Sequence, residues 1–412
     1  MSSFEQSTFY DAKIVVSILI LLFLLFVLSV GKSPYFKINR ASSAIISSCF
    51  VVIFRILNFD QAVSSVDIRT IVLLFNMMIL SGSLKLAGFF PMAGSFLISH
   101  AKNRIVLLYL TIFITGILSI VIINDVVCLL FTPIVIIVCS KTKTYPIPFL
   151  LGVALASNIG STCSLIGNPQ NIMIENLSKI PFTTYFIKTF PISLLGLTLA
   201  AVSLHITYKD KLPKDVLNIK YRKFVFHKYL VYKSILILLF VVLGFVINLN
   251  QVIISSLGVA FLMLTRRIKS EKLLKEVDYS LLLTFIGLFI VIGGVEKSGV
   301  INILVNDIGY NLFKNTTFFS FLTAILSNII GNVPAVMMLR YLIPNENATY
   351  GWTMLAVIST LAGNLTLTGS IANLIVAEIA KKNKIEVKFL DYLKIGFPTT
   401  IFLIIFSILV IR

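Results

Sequence analysis

Long apolar runs alternate along the chain with short polar segments that are rich in lysine and arginine. A helix needs about 20 apolar residues to cross the hydrocarbon core of a bilayer, so runs near this length predict membrane-spanning helices. The runs of this kind cover residues 14–30, 41–58, 68–84, 147–174, 186–207, 234–249, 251–265, 279–295, 350–379 and 392–411. The pattern therefore predicts an all-α polytopic membrane protein.

Two further runs are too long for one crossing, and polar residues interrupt each of them near its middle. Residues 105–139 are interrupted at Asn124-Asp125, and residues 316–343 at Asn332-Val333-Pro334. Two half-length arms around a polar tip predict a re-entrant hairpin, a form that is tolerated only where it faces protein or a water-filled cavity. We expect Asn124 to cap the second arm of the first hairpin, and Asn332 to start the second arm of the other.

Composition and charge agree with this class. Hydrophobic residues make up 58% of the chain and charged residues only 13%, whereas charged residues average roughly 25% of a soluble domain. The formal net charge is +18, but the basic residues lie in short loops, where they orient a membrane protein rather than bind nucleic acid. With the N-terminus outside and both hairpins re-entrant, most of the 35 lysines and arginines, Arg40 among them, fall in predicted inner loops. We therefore expect a protein of the cytoplasmic (inner) membrane with both termini outside.

The two halves of the sequence resemble each other. A shift of 202 residues places the segment 161–171 on 363–373, and a shift of 208 residues places Asn124 on Asn332. Each half then holds five spans and one hairpin, so the odd number of crossings inverts one half relative to the other. Inverted repeats with interrupted helices are typical of secondary transporters. The sequence predicts two inverted repeats, residues 1–207 and residues 234–412, joined by a basic cytoplasmic linker, residues 208–233.

The runs 147–174 and 350–379 are too polar at their centres for ordinary helices. In the first run, Ser157–Thr162 and Gly167–Asn171 place hydroxyls and amides at membrane depth. Unpaired polar groups are costly there, so we expect each helix to break near the midplane.

Four half-helices would then begin inside the protein, at the two hairpin tips and at the two breaks. Asn168 followed by Pro169 predicts an N-cap with proline at the first helical position, and Gly369-Ser370 can begin the corresponding half-helix. Helix N-termini carry partial positive charge and free N–H groups that suit an anion. The ends of the preceding arms offer carbonyl, amide and hydroxyl oxygens that suit a hard cation such as Na⁺.

These features define two overlapping sets of candidate site residues. The candidate substrate-binding residues are Asn124, Asp125, Thr162, Ser164, Gly167, Asn168, Asn171, Asn332, Val333, Pro334, Thr366, Thr368, Gly369, Ser370 and Asn373. The candidate cation-binding residues are Asn124, Asp125, Ser161, Asn168, Asn332, Asn364 and Thr368. Na⁺ or H⁺ is the expected coupling ion, and no other cofactor is predicted.

Few charged residues are expected inside the membrane. Asp125 is the one acid placed deep in it, where an ionisable residue is a functional candidate by default; it can ligate a cation, carry a proton or merely cap the turn. Arg55 and Arg340 are expected towards the outer ends of their segments, so helix ends and amides would meet the substrate. Three acids at span ends are expected to be solvated, namely Glu175, Glu296 and Glu378.

Other chemistry is not indicated. The four cysteines lie in apolar segments without paired spacing, so neither a disulfide framework nor a zinc site is predicted. The spans contain no metalloprotease or nucleophile-elbow motif and no paired carboxylates, which argues against a membrane enzyme. A channel is the less favoured alternative, because hairpins at a repeat interface favour alternating access.

Several motifs together resemble the ion transporter superfamily, and within it the citrate-transporter-like anion permeases. They are Asn124-Asp125-Val126, Asn158–Ser161, Gly167–Asn171 and the segment from Ser327 to Ala335. The superfamily includes sodium-coupled dicarboxylate and citrate carriers, metal-citrate carriers, arsenite efflux pumps and sodium/proton antiporters. The resemblance implies a scaffold domain that forms the interface of a homodimer, and a transport domain of hairpins and broken helices that moves as an elevator.

The hairpin tips leave two functions open. In the dicarboxylate branch each tip carries Ser-Asn-Thr, which binds sodium and the substrate carboxylates, whereas here only Asn124 and Asn332 match. The Asn124-Asp125 pair is closer to the arsenite pumps, while Gly167–Asn171 is more similar to the citrate-like permeases. The leading hypothesis is a Na⁺- or H⁺-coupled transporter of a small citrate-like or dicarboxylate-like anion. The alternative is an arsenite or other oxyanion efflux pump, or a Na⁺/H⁺ antiporter that uses Asp125.

Overall fold

The computed structural model describes residues 3–31, 37–213, 227–264, 269–301, 315–343 and 348–411. The helices of the first half are α1 (Ser3–Val30), α2 (Arg40–Ile53), α3 (Phe59–Ser64), α4 (Ile68–Ala87), α5 (Phe89–His100), α6 (Arg104–Val121), α7 (Asn124–Lys141), α8 (Ile147–Thr162), α9 (Pro169–Ser178) and α10 (Phe182–Thr207). Those of the second half are α11 (Lys228–Val246), α12 (Gln251–Met263), α13 (Ser270–Leu274), α14 (Tyr279–Lys297), α15 (Thr316–Ile330), α16 (Asn332–Leu339), α17 (Ala348–Ala362), α18 (Ile371–Lys382) and α19 (Phe389–Val410).

The lengths and composition of these helices agree with a membrane protein. Within the described ranges, eight helices are long and apolar enough to cross a membrane, namely α1, α4, α6, α7, α10, α11, α14 and α19. Shorter apolar helices accompany them, namely α2, α8, α12, α15 and α17. The predicted all-α class is therefore confirmed. Most of the predicted linker, residues 214–226, lies outside the described residues.

The helices pack in two groups. In the first group, α2 lies against α14 and α1, and α4 lies against α11 and α12. The approach of α2 to α14 is close, because a Cβ added to Gly287 would lie 2.6 Å from the backbone of Ala44. In the second group, α8 contacts α6, α7, α10, α17 and α18, while α17 contacts α15, α16 and α19. The second group thus contains both predicted hairpins and both predicted broken helices.

Each predicted hairpin is a pair of helices. Residues 122–123 connect α6 to α7, and Gly331 connects α15 to α16 with a φ of 95°, a conformation that favours glycine. The second arms begin at Asn124 and Asn332, as predicted. The prediction that Asn124 caps its arm is wrong. Asn124 is the first helical residue, so Ile123 holds the N-cap position and no side-chain cap hydrogen bond forms. The Asn124 amide Nδ2 donates instead to Asn158 Oδ1 on α8 at 2.9 Å.

Candidate functional site

The first run predicted to be a broken helix, residues 147–174, is divided into α8 and α9. α8 ends at Thr162 and α9 begins at Pro169. Asn168 caps α9, since its Oδ1 accepts the backbone N–H of Asn171 at 2.9 Å, and proline holds the first helical position, as predicted. Proline suits that position because its missing N–H would have no partner within the helix.

The second run predicted to be a broken helix, residues 350–379, is divided into α17 and α18. α17 ends at Ala362, and α18 begins at Ile371. Ser370 Oγ accepts the backbone N–H of Ala372 at 3.2 Å and so caps the new helix. The predicted helix start at Gly369-Ser370 is confirmed.

An asparagine closes each break in the same way. Asn171 Nδ2 donates to the carbonyl of Ser164 at 2.9 Å and to the hydroxyl of Tyr185 at 3.5 Å. Asn373 Nδ2 donates to the carbonyl of Gly363 at 2.7 Å and to the hydroxyl of Tyr392 at 2.8 Å. Each asparagine thereby satisfies carbonyls that the break leaves without helical partners.

Asn158 of α8 connects the first hairpin to the second break. Its Oδ1 accepts from Asn124 Nδ2 at 2.9 Å and from Ser370 Oγ at 3.2 Å. Its Nδ2 donates to Asn364 Oδ1 at 2.8 Å and to Asn373 Oδ1 at 3.2 Å. The side chain is fully buried and has no access to water. These four hydrogen bonds satisfy its donor and acceptor groups instead. The sequence placed Asn158 in a polar string but not among the site residues.

Thr360 of α17 makes a second bridge between the crossings. Its Oγ1 accepts from Asn168 Nδ2 at 3.1 Å and from Gln170 Nε2 at 3.2 Å. The same hydroxyl donates to Asn171 Oδ1 at 3.3 Å. Thr360 therefore joins the helix that precedes the second break to the start of α9.

The first hairpin tip lies against the first break. The backbone N–H of Asn124 donates to the carbonyl of Gly167 at 2.9 Å, and Asn124 is only 3% exposed. A Cβ at Gly167 would lie 2.6 Å from the carbonyl of Ser119, so glycine permits this approach. Two buried oxygens here have no hydrogen-bond partner among the described residues, Asn124 Oδ1 and Ser119 Oγ.

The second hairpin tip lies against the second break. Asn328 Nδ2 donates to the carbonyl of Ala362 at 3.0 Å, and Asn328 Oδ1 accepts from Thr366 Oγ1 at 3.1 Å. Two buried oxygens again lack a partner within the described part of the chain, Asn332 Oδ1 and Ser327 Oγ. In both tips the serine precedes the asparagine by five residues.

A cavity of about 480 Å³ lies where these elements meet. The first residues of four helices line it, namely Asn124 of α7, Pro169 of α9, Asn332 of α16 and Ile371 of α18. Free N–H groups and partial positive charge at helix N-termini favour anionic groups. The opposite side of the cavity is formed by α1, α2 and α14, which we call the wall helices.

Among the described residues, three charged side chains line this cavity: Asp125 from the first hairpin, and Arg40 and Asp278 from the wall helices. Arg40 Nε donates to the carbonyl of Leu28 at 3.2 Å. The Asp278 carboxylate caps α14 by accepting the backbone N–H of Leu281 at 3.0 Å. The expectation that helix ends and amides would meet an anion without a cation beside them does not hold for this cavity, because Arg40, predicted in a loop, is the first residue of α2 and lines it.

The candidate residues from the sequence fall into two layers. Those that line the cavity are Asn124, Asp125, Asn332, Val333, Pro334, Thr368, Gly369 and Ser370. Those buried within the two breaks are Ser161, Thr162, Ser164, Gly167, Asn168, Asn171, Asn364 and Asn373. Thr366 lies next to the cavity, bonded to Asn328. The residues therefore converge on one region, but only the first layer reaches the cavity.

The three acids at span ends differ. Glu378 is exposed and pairs with Lys382 at 2.9 Å, and the exposed Glu296 accepts from the Tyr341 hydroxyl at 2.7 Å. Glu175 of α9 is half-buried, and its Oε2 is shielded without a partner among the described residues. The expectation of a solvated face is therefore wrong for Glu175, because α9 packs against α4 and covers this side.

Comparison with known proteins identifies the group to which this architecture belongs. A family model described as a citrate transporter matches residues 23–362. The chain belongs to the citrate transporter family. Its curated relatives include a putative transporter arsB of Dictyostelium discoideum, 27% identical over 91% of this chain and 88% of that protein. The silicon efflux transporter LSI3 of Oryza sativa subsp. japonica is 26% identical over 89% of this chain and 91% of its own length.

The fold has a counterpart among solved structures. The crystal structure of the Alcanivorax borkumensis YdaH transporter, described as having an unusual topology, aligns with a TM-score of 0.63. The alignment covers 97% of both chains at 12% sequence identity, so the likeness concerns the fold alone. The family match and the curated relatives identify the chain as a multi-pass membrane transporter and not an enzyme.

Proposed function

We propose that this protein is a secondary active transporter that moves a small citrate-like or dicarboxylate-like anion across the cytoplasmic membrane, coupled to Na⁺ or H⁺. The observation that carries the proposal is the cavity on which four helix N-termini converge. Four such termini supply backbone donors and partial positive charge without buried lysines, which suits a small anion. The volume of about 480 Å³ lies within the usual range for small-molecule sites.

The proposed architecture is a pair of inverted repeats that exchange access between the two membrane faces. The matched closures by Asn171 and Asn373 support this proposal, as does the recurrence of a hairpin, a broken crossing and a final long helix in each half. In such transporters the substrate binds between the repeats near the midplane. We retain the proposed orientation, with both termini outside.

The proposed cation sites are the oxygens that have no partner at the two tips. Asn124 Oδ1 and Ser119 Oγ, like Asn332 Oδ1 and Ser327 Oγ, are buried oxygens without a partner among the described residues, and in both tips the serine precedes the asparagine by five positions. Buried polar atoms that find no partner cost free energy, and a hard cation coordinated by oxygens would recover it. We therefore propose Na⁺ at these tips, or alternatively H⁺ carried by Asp125.

The proposed motion is that of an elevator. The division of the helices into two packed groups, with the cavity between the wall helices and the hairpins, supports movement of one group past the other. The resemblance to the superfamily further implies a homodimer, which the proposal includes. In such a dimer the first group of helices would form the interface and keep its position in the bilayer.

A second candidate function is efflux of arsenite or another oxyanion, or Na⁺/H⁺ exchange through Asp125. The charges of the cavity favour it, because two carboxylates, of Asp125 and Asp278, accompany a single guanidinium, of Arg40. A lining of this kind suits a hydroxylated substrate of low charge or a cation better than a multivalent anion. Two relatives bear the names arsB and silicon efflux transporter, which supports this candidate.

Uptake into proteoliposomes separates the two candidates. Labelled citrate, succinate and arsenite would be offered under a Na⁺ gradient and, separately, under a pH gradient. The proposal expects gradient-driven uptake of citrate or succinate that Asn124→Ala abolishes and the exposed Asn383→Ala retains. Arsenite transport alone would favour efflux, and Na⁺-driven proton movement without any substrate would favour antiport. No transport of any of these by folded protein would contradict both candidates.

A further inference from the structure

Arg40 belongs to the wall helices and not to the hairpins. It is the first residue of α2, and Asn39 caps this helix by accepting the backbone N–H of Ser42 at 2.9 Å. α2 is locked against α14 by the contact of Gly287 with Ala44. The position of the guanidinium is therefore set by the wall, so movement of the hairpin group would change its distance from anything bound at the tips.

The guanidinium of Arg40 has donors to spare. Its hydrogen bond to a described residue is the one from Nε to Leu28. No carboxylate of the described residues lies within salt-bridge distance of it, although Asp125 and Asp278 line the same cavity. A guanidinium has five N–H donors, so four of them have no partner among the described residues. Carboxylates and phosphates accept two such donors at once in a planar arrangement.

The two sides of the cavity offer different groups to an anion. The hairpin side presents neutral donors, with Asn124, Gln170 and Asn332 beside the helix N-termini, and one acid. The wall side presents one arginine, Arg40, and one acid, Asp278, whose carboxylate also caps α14. An anion with two negative groups can place one at the tips and the other at Arg40, whereas an anion with one negative group can occupy only one of these positions.

We propose that Arg40 is a substrate-binding residue that selects anions carrying more than one negative group and that acts from one face of the membrane only. The inference rests on the proposed function. The wall contact exists when the tips face Arg40, as they do here, and is lost when the hairpin group moves past the wall. The affinity for the anion should therefore depend on Arg40 on the membrane face to which this conformation opens, and not on the other.

The test measures the KM for citrate in right-side-out and inverted membrane vesicles. Arg40→Gln should raise the KM about tenfold to hundredfold on one face, as expected for the loss of a charge-assisted hydrogen bond, and by less than about twofold on the other. Arg40→Lys keeps the charge without the planar pair of donors and should give a smaller shift on the same face. Arg55→Gln, outside this cavity, is the matched control and should change neither value.

Each outcome decides a different claim. An unchanged KM on both faces, or an equal rise on both, would overturn the role of Arg40 while leaving the anion transporter intact. Wild-type protein that transports neither citrate nor succinate would overturn the proposed function and the role of Arg40 with it. If Arg40→Gln fails to fold, as judged by gel filtration in detergent, the sidedness of the Arg40→Lys shift decides the question.

Discussion

The first hairpin tip, between α6 and α7, is buried against α8, whereas the second tip, between α15 and α16, is partly exposed to the cavity. Asn124 uses both its backbone N–H and its side-chain amide to bind Gly167 and Asn158. In the second tip the corresponding tie comes from Asn328, four residues before Asn332. Each tip has two buried side-chain oxygens without a partner among the described residues. Within that part of the chain, the first tip is the one that bonds Asn158 directly.

The tips also differ in charge. Asp125 follows the asparagine of the first tip, and Val333 follows that of the second. Both residues line the same cavity. The oxygen pair is thus common to the two tips, while the ionisable group belongs to one. Within the proposed mechanism, steps that depend on charge are therefore assigned to the first tip.

The first arms of the two hairpins also differ in how closely they pack against the broken helices. A Cβ at Gly160 on α8 would collide with the backbone of Gly116 on α6. At the proposed repeat positions the second half has Ala324 and Ala362. The pair of glycines allows α6 closer to α8 than side chains would permit, so the first tip is the more tightly anchored of the two.

The largest effect is expected from filling that glycine contact. Gly160→Ala should lower the free energy of unfolding by about 3 kcal/mol, because backbone cannot yield as a side chain can. Gly152→Ala is the matched control on the same helix: its Cβ would meet the side chain of Ile112, which can rotate, so about 1 kcal/mol is expected. Denaturation in detergent measures both. Equal losses would show that the first tip is not anchored through backbone contact.

Removing the charge of the first tip should have the next largest effect. Asp125→Asn should slow ion-coupled transport about thirtyfold, a loss of about 2 kcal/mol of stabilisation, if the carboxylate takes part in coupling. Val333→Ala at the second tip should change the rate less than about twofold, because no ionisable group is lost there. Initial rates in proteoliposomes under Na⁺ and pH gradients provide the measurement. Similar rates for the two variants would remove the distinction between the tips.

The tips also show how far local sequence reasoning reaches. The starts at Asn168-Pro169 and Ser370 were predictable, because capping depends on a few neighbouring residues. The use of the Asn124 side chain was not, since it bonds a helix 34 residues away instead of its own backbone. The sequence likewise placed Arg40 in a loop. Its position at the cavity depends on the packing of α2 against α14, which the local sequence does not reveal.

A smaller difference is expected between the two tip asparagines. Asn124→Ala and Asn332→Ala each remove one free oxygen, so both should reduce transport if those oxygens bind the coupling cation. Asn124→Ala should in addition destabilise the protein by about 1 kcal/mol more than Asn332→Ala, since it also removes the bond to Asn158. Comparing uptake with unfolding midpoints for the pair separates the roles. Equal stability with unequal transport would contradict the assignment of anchoring to Asn124.

The smallest effects are expected at the two tyrosines that close the breaks. The Tyr185 hydroxyl donates to the Thr162 carbonyl at 2.7 Å, and the Tyr392 hydroxyl donates to Asn364 Oδ1 at 3.0 Å. Tyr185→Phe and Tyr392→Phe should each lower the free energy of unfolding by about 1 kcal/mol, the usual net value of one hydrogen bond. Neither hydroxyl reaches the cavity, so the KM for citrate should stay unchanged in both variants.

The double variant then tests whether the two breaks behave as separate units. Tyr392 bonds Asn364, which bonds Asn158. Tyr185 bonds Asn171, which bonds Thr360. The two tyrosine hydroxyls therefore share no hydrogen-bond partner among the described residues. Effects of sites that share no partner usually add within about 0.5 kcal/mol. We therefore expect additive losses. A coupling well above that value would mean that the contacts of Asn158 and Thr360 couple the two breaks energetically, and that the tips differ less than their local contacts indicate.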